Sequence, residues 1–329
     1  MPERLIAPTG AFGEREPNCI AAKSTLATET MLRLVTIPIS HYCEKARWAL
    51  ERAGLAYKEE RHVQGIHQVA ARRAGGGITV PVLVTPSGAI GESAEILEWV
   101  DERTPQEFRL FPAEPNSKEE VVRLCRRFDE MLGPTGRRLM YVHMLAAREL
   151  ALRFNNEGVP GWEDRAIRFG WPFAKGFVGR ALGIRPGIEI EDEAAVWREL
   201  DFVADLLSDG RPYLCGGSFN AADLTFAALA GSIVVPPEYG VPLPQPAILP
   251  ARMAALVERA REHPAGRYAL ALFTRHRRRR VAAPDTSLAV GLAAPGVGRA
   301  APGVGLAASD VGLAAPDVDR RRPNGARKA

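Results

Sequence analysis

Hydrophobic positions between residues 31 and 103 switch repeatedly between two periods. The apolar run of residues 32–39 contains a strand at 33–37, and the next stretch, 42–53, puts Tyr42, Ala46, Ala49, Leu50 and Ala53 on one helical face. Gly54 closes that helix as a C-terminal glycine does. A second strand is predicted at 57–63 and a short helix at 64–73, ended by Gly75-Gly76-Gly77. Residues 82–85 and 89–90 form a hairpin around Pro86-Ser87-Gly88, and 94–103 returns to helical spacing with Ile96, Leu97, Trp99 and Val100. The order is β-α-β-α-β-β-α.

A Pro-rich linker follows at 105–116, and beyond it the pattern is helical only, over 117–132, 135–154, 189–208, 221–232 and 250–263. Residues 155–188 are rich in Gly and aromatics (Trp162, Phe169, Trp171, Phe173, Phe177) and show no usable period. Five segments result: a loose extension at 1–30, an α/β domain at 31–104, the linker, an all-α domain at 117–277 and a tail at 278–329. Within the tail a seven-residue unit recurs, as in Val290-Gly291-Leu292-Ala293-Ala294-Pro295-Gly296. Gly in every unit and Pro in most defeat a helix, so disorder is expected there. Met31 begins the patterned sequence and is an alternative start to Met1.

The overall charge of +4 conceals an uneven distribution. Residues 275–329 hold eleven Lys/Arg and four Asp, whereas the preceding residues hold 32 basic and 35 acidic groups. A slightly acidic body argues against a nucleic-acid partner, which requires clustered positive charge on the folded surface. No apolar run is long enough to span a bilayer, so no membrane partner is expected, and no secretion signal is read at the N-terminus. Cys19, Cys43, Cys125 and Cys215 are scattered, and the six His show no metal spacing. A reducing, cytoplasmic setting without a metal or a permanently bound cofactor follows as the expectation.

The most informative chemistry lies at Ser40-His41-Tyr42-Cys43. A strand that runs into a helix with Ser and Cys three apart brings a hydroxyl and a thiol to N–H groups that can stabilise an anion. Ser40 can simply cap the helix, and capping does not exclude holding a thiolate. Cys43 is the alternative redox group, but it falls one turn into the helix near the apolar stripe, where free Cys packs as a small hydrophobe. Tyr42 reads as packing and His41 as solvated. Farther on, Glu92-Ser93 opens a helix whose N–H groups suit a carboxylate while the Glu92 side chain suits an ammonium.

Four signals in order make the chain, over about residues 31–275, resemble a glutathione S-transferase. They are the strand–Ser40-x-x-Cys43–helix element, Thr79-Val80-Pro81-Val82-Leu83, Gly91-Glu92-Ser93, and Phe219-Asn220-Ala221-Ala222-Asp223-Leu224. The last has the form of a capping box, with Asn220 capping and Asp223 reaching back. The resemblance implies a thioredoxin-like N-terminal domain (α/β) followed by an all-helical (all-α) C-terminal domain. It implies that Val80-Pro81 is cis, that Thr79, Val80, Pro81, Glu92 and Ser93 bind glutathione, and that Ser40, as in serine-type bacterial members, supports its sulfur. Glutathione or a related thiol would be the co-substrate and a hydrophobic electrophile the acceptor. Its pocket is expected near 140–144 and 162–177, in a homodimer.

Where the family often carries Lys or Gln ahead of Val-Pro, this chain has Ile78-Thr79. Lys45, Arg47 and Arg72 are candidate replacements for the contact to the glycine end of glutathione. A thiol-disulfide oxidoreductase or peroxidase using Cys43, and a non-catalytic binding protein of the same fold, are the alternatives.

Overall fold

The computed structural model describes residues 31–278. The expected extension at 1–30 and the repeat tail from 279 onward lie outside the described residues. Strand β1 (Leu32–Thr36) leads through a four-residue turn into helix α1 (His41–Arg52). Strand β2 (Tyr57–Arg61), helix α2 (Ile66–Arg73), the hairpin β3 (Val82–Thr85) and β4 (Gly88–Ile90), and helix α3 (Ser93–Glu102) complete the α/β part. The sheet order is β2-β1-β3-β4, with β1 parallel to β2 and antiparallel to β3. This is the mixed sheet of a thioredoxin-like domain, followed by a helical part, as the sequence predicts.

Local chemistry accounts for most of these elements. Ser40 caps α1, its Oγ accepting from the Cys43 N–H at 3.4 Å. Gly54 ends the helix at φ +71°, a conformation that a Cβ would penalise. β1 buries Leu34, Val35 and Thr36 in succession, because α-helical layers cover both sides of a central strand.

The helical part comprises α4 (Pro115–Arg127), α5 (Gly133–Met144), α6 (Arg148–Asn155), α7 (Gly161–Phe169), α8 (Trp171–Ala181), α9 (Ile188–Leu206), α10 (Ala221–Val234), α11 (Ala251–Glu262) and α12 (Pro264–His276). Its axis is α10, which packs on α1, α4, α5, α11 and α12. Nearly every residue of α10 is buried, as an element apolar on all sides must be. The capping box read from sequence is present: Asn220 Oδ1 accepts from Ala222 N, and Asp223 Oδ2 accepts from Asn220 N at 2.9 Å.

Three helical expectations change. The helix expected over 135–154 breaks at Ala147, whose ψ of +73° is not helical, so that α6 can bury Ala151, Leu152 and Phe154 along a new direction. Between α4 and α5 the chain makes one wide π turn over Phe128–Leu132 rather than ending. The helix ending at 263 is followed directly by α12. Pro264 starts that helix instead of stopping one, with His263 Nδ1 accepting from Ala265 N as its cap.

Asp223 also accepts from Leu214 N at 2.8 Å and from the Tyr268 hydroxyl at 2.6 Å. Asp223→Ala strands three buried donors and removes the box, so it should cost about 2–4 kcal/mol. Urea unfolding with an unchanged m-value and a lowered midpoint is the expected readout; an unchanged midpoint would contradict this assignment.

Candidate functional site

Sheet register brings the separated motifs to one end of the sheet. Val35 near the end of β1 faces Val82 at the start of β3, and Leu83 faces Ile90 at the end of β4. The segments that extend past this end are therefore the 37–40 turn, Thr79-Val80-Pro81 and Gly91-Glu92-Ser93. The Val80–Pro81 bond is cis. Thr79 is exposed, Val80 half-buried and Pro81 buried, whereas Glu92 is exposed at the N-cap of α3 and Ser93 is buried in its first turn. Ser40, Thr79, Val80, Pro81, Glu92 and Ser93 thus share one edge.

Ser40 sits half-buried at the N-terminus of a twelve-residue helix. Its cap uses an oxygen lone pair, and its hydroxyl, which also lies within reach of the Cys43 sulfur, carries the proton that can be donated to an anion above the helix. Cys43 is wholly buried. Burial pushes its thiol up, against the opposing pull of Arg47 and of the Ser40 hydroxyl. A reactive cysteine shows the reverse combination, an exposed thiol with a depressed pKa.

His41 is a correction: it is 2% exposed, not solvated. Its ring packs on Tyr42 at 4.6 Å between centroids, and its Nε2 has no hydrogen-bond partner. Burial, and then the Arg137 guanidinium, depress its pKa to about 3. Tyr42 packs as expected, donating to the Asp129 carbonyl at 2.8 Å. Gly133 is obligatory beside it, since a Cβ there would run into the Tyr42 hydroxyl.

Lys45 and Arg47 do not face a ligand. Lys45 is fully buried and paired to Asp129 at 2.7 Å. Arg47 donates to Glu59 at 2.7 Å, to Glu44 at 3.1 Å and to the Pro38 carbonyl at 2.7 Å. Both are consumed in holding α1, because the helix is covered on the side that its polar residues seem to assign to solvent. Arg72 alone of the three is exposed.

Arg137 on α5 was not singled out by the sequence, where it is one of many arginines. It is half-buried, its Nε lacks a partner, and its guanidinium carbon lies 5.8 Å from the Tyr42 ring centroid. His41, Tyr42 and Tyr141 all feel its charge. Gln64 donates to the Tyr141 hydroxyl, and Glu163 on α7 accepts from Val63 N and pairs with His62 at 2.7 Å. The loop after β2 is thereby tied to the helices above it.

In the region of the expected apolar pocket the helices close around a small space. Gln64, Tyr141, Ile167 and Trp171 enclose a void of about 10 Å³, room for roughly one water. Trp162, Phe169 and Phe173 point outward instead, and the Phe177 ring reaches toward Gly65. Among the described residues no cluster of His, Cys, Asp or Glu could hold a metal, and no helix is long and apolar enough to cross a membrane.

The depressed His41 makes a pH prediction. Below pH 6.5 the unfolded chain takes up a proton that the folded state refuses until about pH 3. Stability from this group is therefore present above pH 6.5 and lost as pH falls through that window. Denaturation midpoints across the window should fall less steeply for His41→Phe than for the parent; equal slopes would contradict the assignment.

No curated protein matches the chain. Solved structures that resemble it include a glutathione S-transferase from Sinorhizobium meliloti 1021, at 19% identity and TM-score 0.46, covering 74% of this chain and 93% of that one. Another, from Rhodospirillum rubrum F11, has 22% identity and TM-score 0.43 over 73% and 92% of the two chains. The beta-etherase LigF from Sphingobium sp. strain SYK-6 has 15% identity and TM-score 0.45 over 73% and 99%. Residues 34–108, which carry Ser40, Val80-Pro81 and Glu92-Ser93, match the family described as "Glutathione S-transferase, N-terminal domain".

Proposed function

We propose that this chain binds glutathione, or a related small thiol, at the shared sheet edge and delivers its sulfur to an electrophilic carbon. The observation that carries this reading is the contrast within one turn of α1: a half-buried Ser40 at the helix N-terminus and a wholly buried Cys43 behind it. The first can hold a substrate sulfur; the second is withdrawn from exchange.

In this reading the backbone at Val80 pairs with the cysteinyl unit of glutathione. The first N–H groups of α3 and the Ser93 hydroxyl take the γ-glutamyl carboxylate, and Glu92 takes its ammonium. The thiol gives its proton to solvent, the Ser40 hydroxyl donates to the resulting thiolate, and sulfur forms a bond to carbon as the leaving group departs with its electron pair. Lowering a thiol pKa by ~2 units requires ~2.7 kcal/mol. A helix terminus supplies ~0.3–2 kcal/mol and a hydrogen bond to a charged group ~1.5–3, so the two devices together suffice.

A second reading, a binding protein that does not conjugate, is favoured by one observation. The space beside Tyr141 and Trp171, in the region where an electrophile pocket is expected, has room for about one water.

Ser40→Ala should lower conjugation of glutathione to a reactive aryl halide at least about tenfold, while Cys43→Ala should keep most of it. Full activity in Ser40→Ala would remove the hydroxyl from the mechanism. Thermal stabilisation by glutathione without turnover of any electrophile in a broad panel would select the second reading, and no stabilisation by any small thiol would end both.

A further inference from the structure

Helices α7 and α8 follow one another with Gly170 alone between them. Both turn their inner sides to the same small void, α7 through Ile167 and α8 through Trp171, Ala174 and Val178. Their outer sides therefore face away from the body of the protein. On α7 the exposed positions Trp162, Arg165, Ala166 and Phe169 follow the i, i+3, i+4, i+7 spacing of one helical face. On α8 Phe173, Phe177 and Arg180 do the same. Phe169 is 94% exposed and Phe173 85%, with Trp162 at 58% and Phe177 at 47%. With Phe177 leaning on Gly65, three large aromatics (Trp162, Phe169 and Phe173) stand in water on two consecutive helices and exceed the scattered apolar residues of an ordinary surface.

Charge identifies what covers them. Residues 160–186 carry five basic and two acidic side chains, within a body that is acidic on balance. Of the two acids, Glu163 is fully buried and bound to His62 and Val63, and Asp164 is paired with Arg168; of the bases, Arg185 is paired with Glu191, which leaves Arg165, Lys175 and Arg180. Arg165 and Arg180 lie on these outer faces, exposed and with no partner among the described residues, whereas Lys175 is exposed on the side of α8 that carries Trp171 and Val178. A two-fold contact between copies would set this patch against itself, bringing Arg165 and Arg180 toward their own counterparts. The rim instead complements a negatively charged layer over an apolar interior.

We propose that the outer faces of α7 and α8 dock on an anionic lipid surface, with the aromatic side chains entering the headgroup boundary and the basic rim contacting lipid phosphates. This is the arrangement of an interfacial amphipathic element, a basic polar rim around Trp and Phe, and it needs no spanning helix. It places the protein peripherally on a membrane, beyond the sequence expectation of no membrane partner. α7 is anchored away from this face, through Glu163 to His62 and Val63, through Asp164 to Asn156, and through the Arg168 carbonyl to Arg148.

The test is co-sedimentation of the full chain with vesicles of phosphatidylcholine alone and of phosphatidylcholine mixed with phosphatidylglycerol, at physiological ionic strength. Binding should require the anionic lipid. Phe169→Ser/Phe173→Ser should lower partitioning at least about tenfold, and Arg165→Glu/Arg180→Glu about tenfold or more. All four positions are exposed, so melting temperatures should match the parent. Both variants keep the arginines at 278–280 and 320–322, so undiminished binding in both would assign the contact to those residues and overturn the proposal. No binding to anionic vesicles would overturn it, as would a drop in oligomeric size of the Phe variant on size-exclusion chromatography, which would make the patch a face between copies.

Discussion

Four charged groups with almost no water around them hold α1, and the candidate site hangs from that helix. Glu44, Arg47 and Arg277 are each no more than 3% exposed, and Glu59 closes the set from β2. Glu44 accepts from Arg277 Nε at 2.5 Å and from Gly240 N at 3.1 Å, while Arg277 reaches Glu51 at 2.6 Å. Such a cluster contributes little net stability over an apolar packing of equal volume, because desolvation offsets the Coulomb attraction. Breaking it by removing one member is another matter, since an uncompensated buried charge costs about 3–5 kcal/mol. Its geometric effect is to fix position. Arg47 Nη2 donates to the Pro38 carbonyl, which pins the turn that delivers Ser40 to the helix end.

The same cluster joins the two halves of the fold. α1 lies between the sheet and α10, and Arg277 comes from the end of α12. Lys45 with Asp129, and Tyr42 with the Asp129 carbonyl, make a second tie at the π turn after α4. A helix gripped at both ends presents its N–H groups in one direction. A hydroxyl placed at that N-terminus meets an anion with no further reorganisation, and preorganised donors of this kind are the most effective way to stabilise developing charge.

Much of the first domain was legible because its signals are local. A Ser cap, Gly54 after a helix, Pro86-Ser87-Gly88 in a hairpin and Val80-Pro81 before a strand each act within a few residues. The fate of α1's polar face was not legible. Glu44, Lys45 and Arg47 look like solvent or ligand groups in sequence, but their partners lie between three and 233 positions away. α7 and α8 were missed for the opposite reason: their largest apolar residues face outward, so hydrophobicity marks the wrong side. α12 was hidden by Pro264, which serves equally as a stop and as a first helical residue. The capping box at Asn220 and Asp223, by contrast, is a four-residue pattern and reads directly.

The account rests on Ser40 and the α1 terminus together seating a thiolate. Titrating the thiol of bound glutathione by its ultraviolet thiolate absorbance, with the free tripeptide as reference, tests that directly. The account predicts ionisation ~2 units below the free thiol's ordinary value near 8.5. A bound thiol that ionises at the same pH as the free one would contradict it.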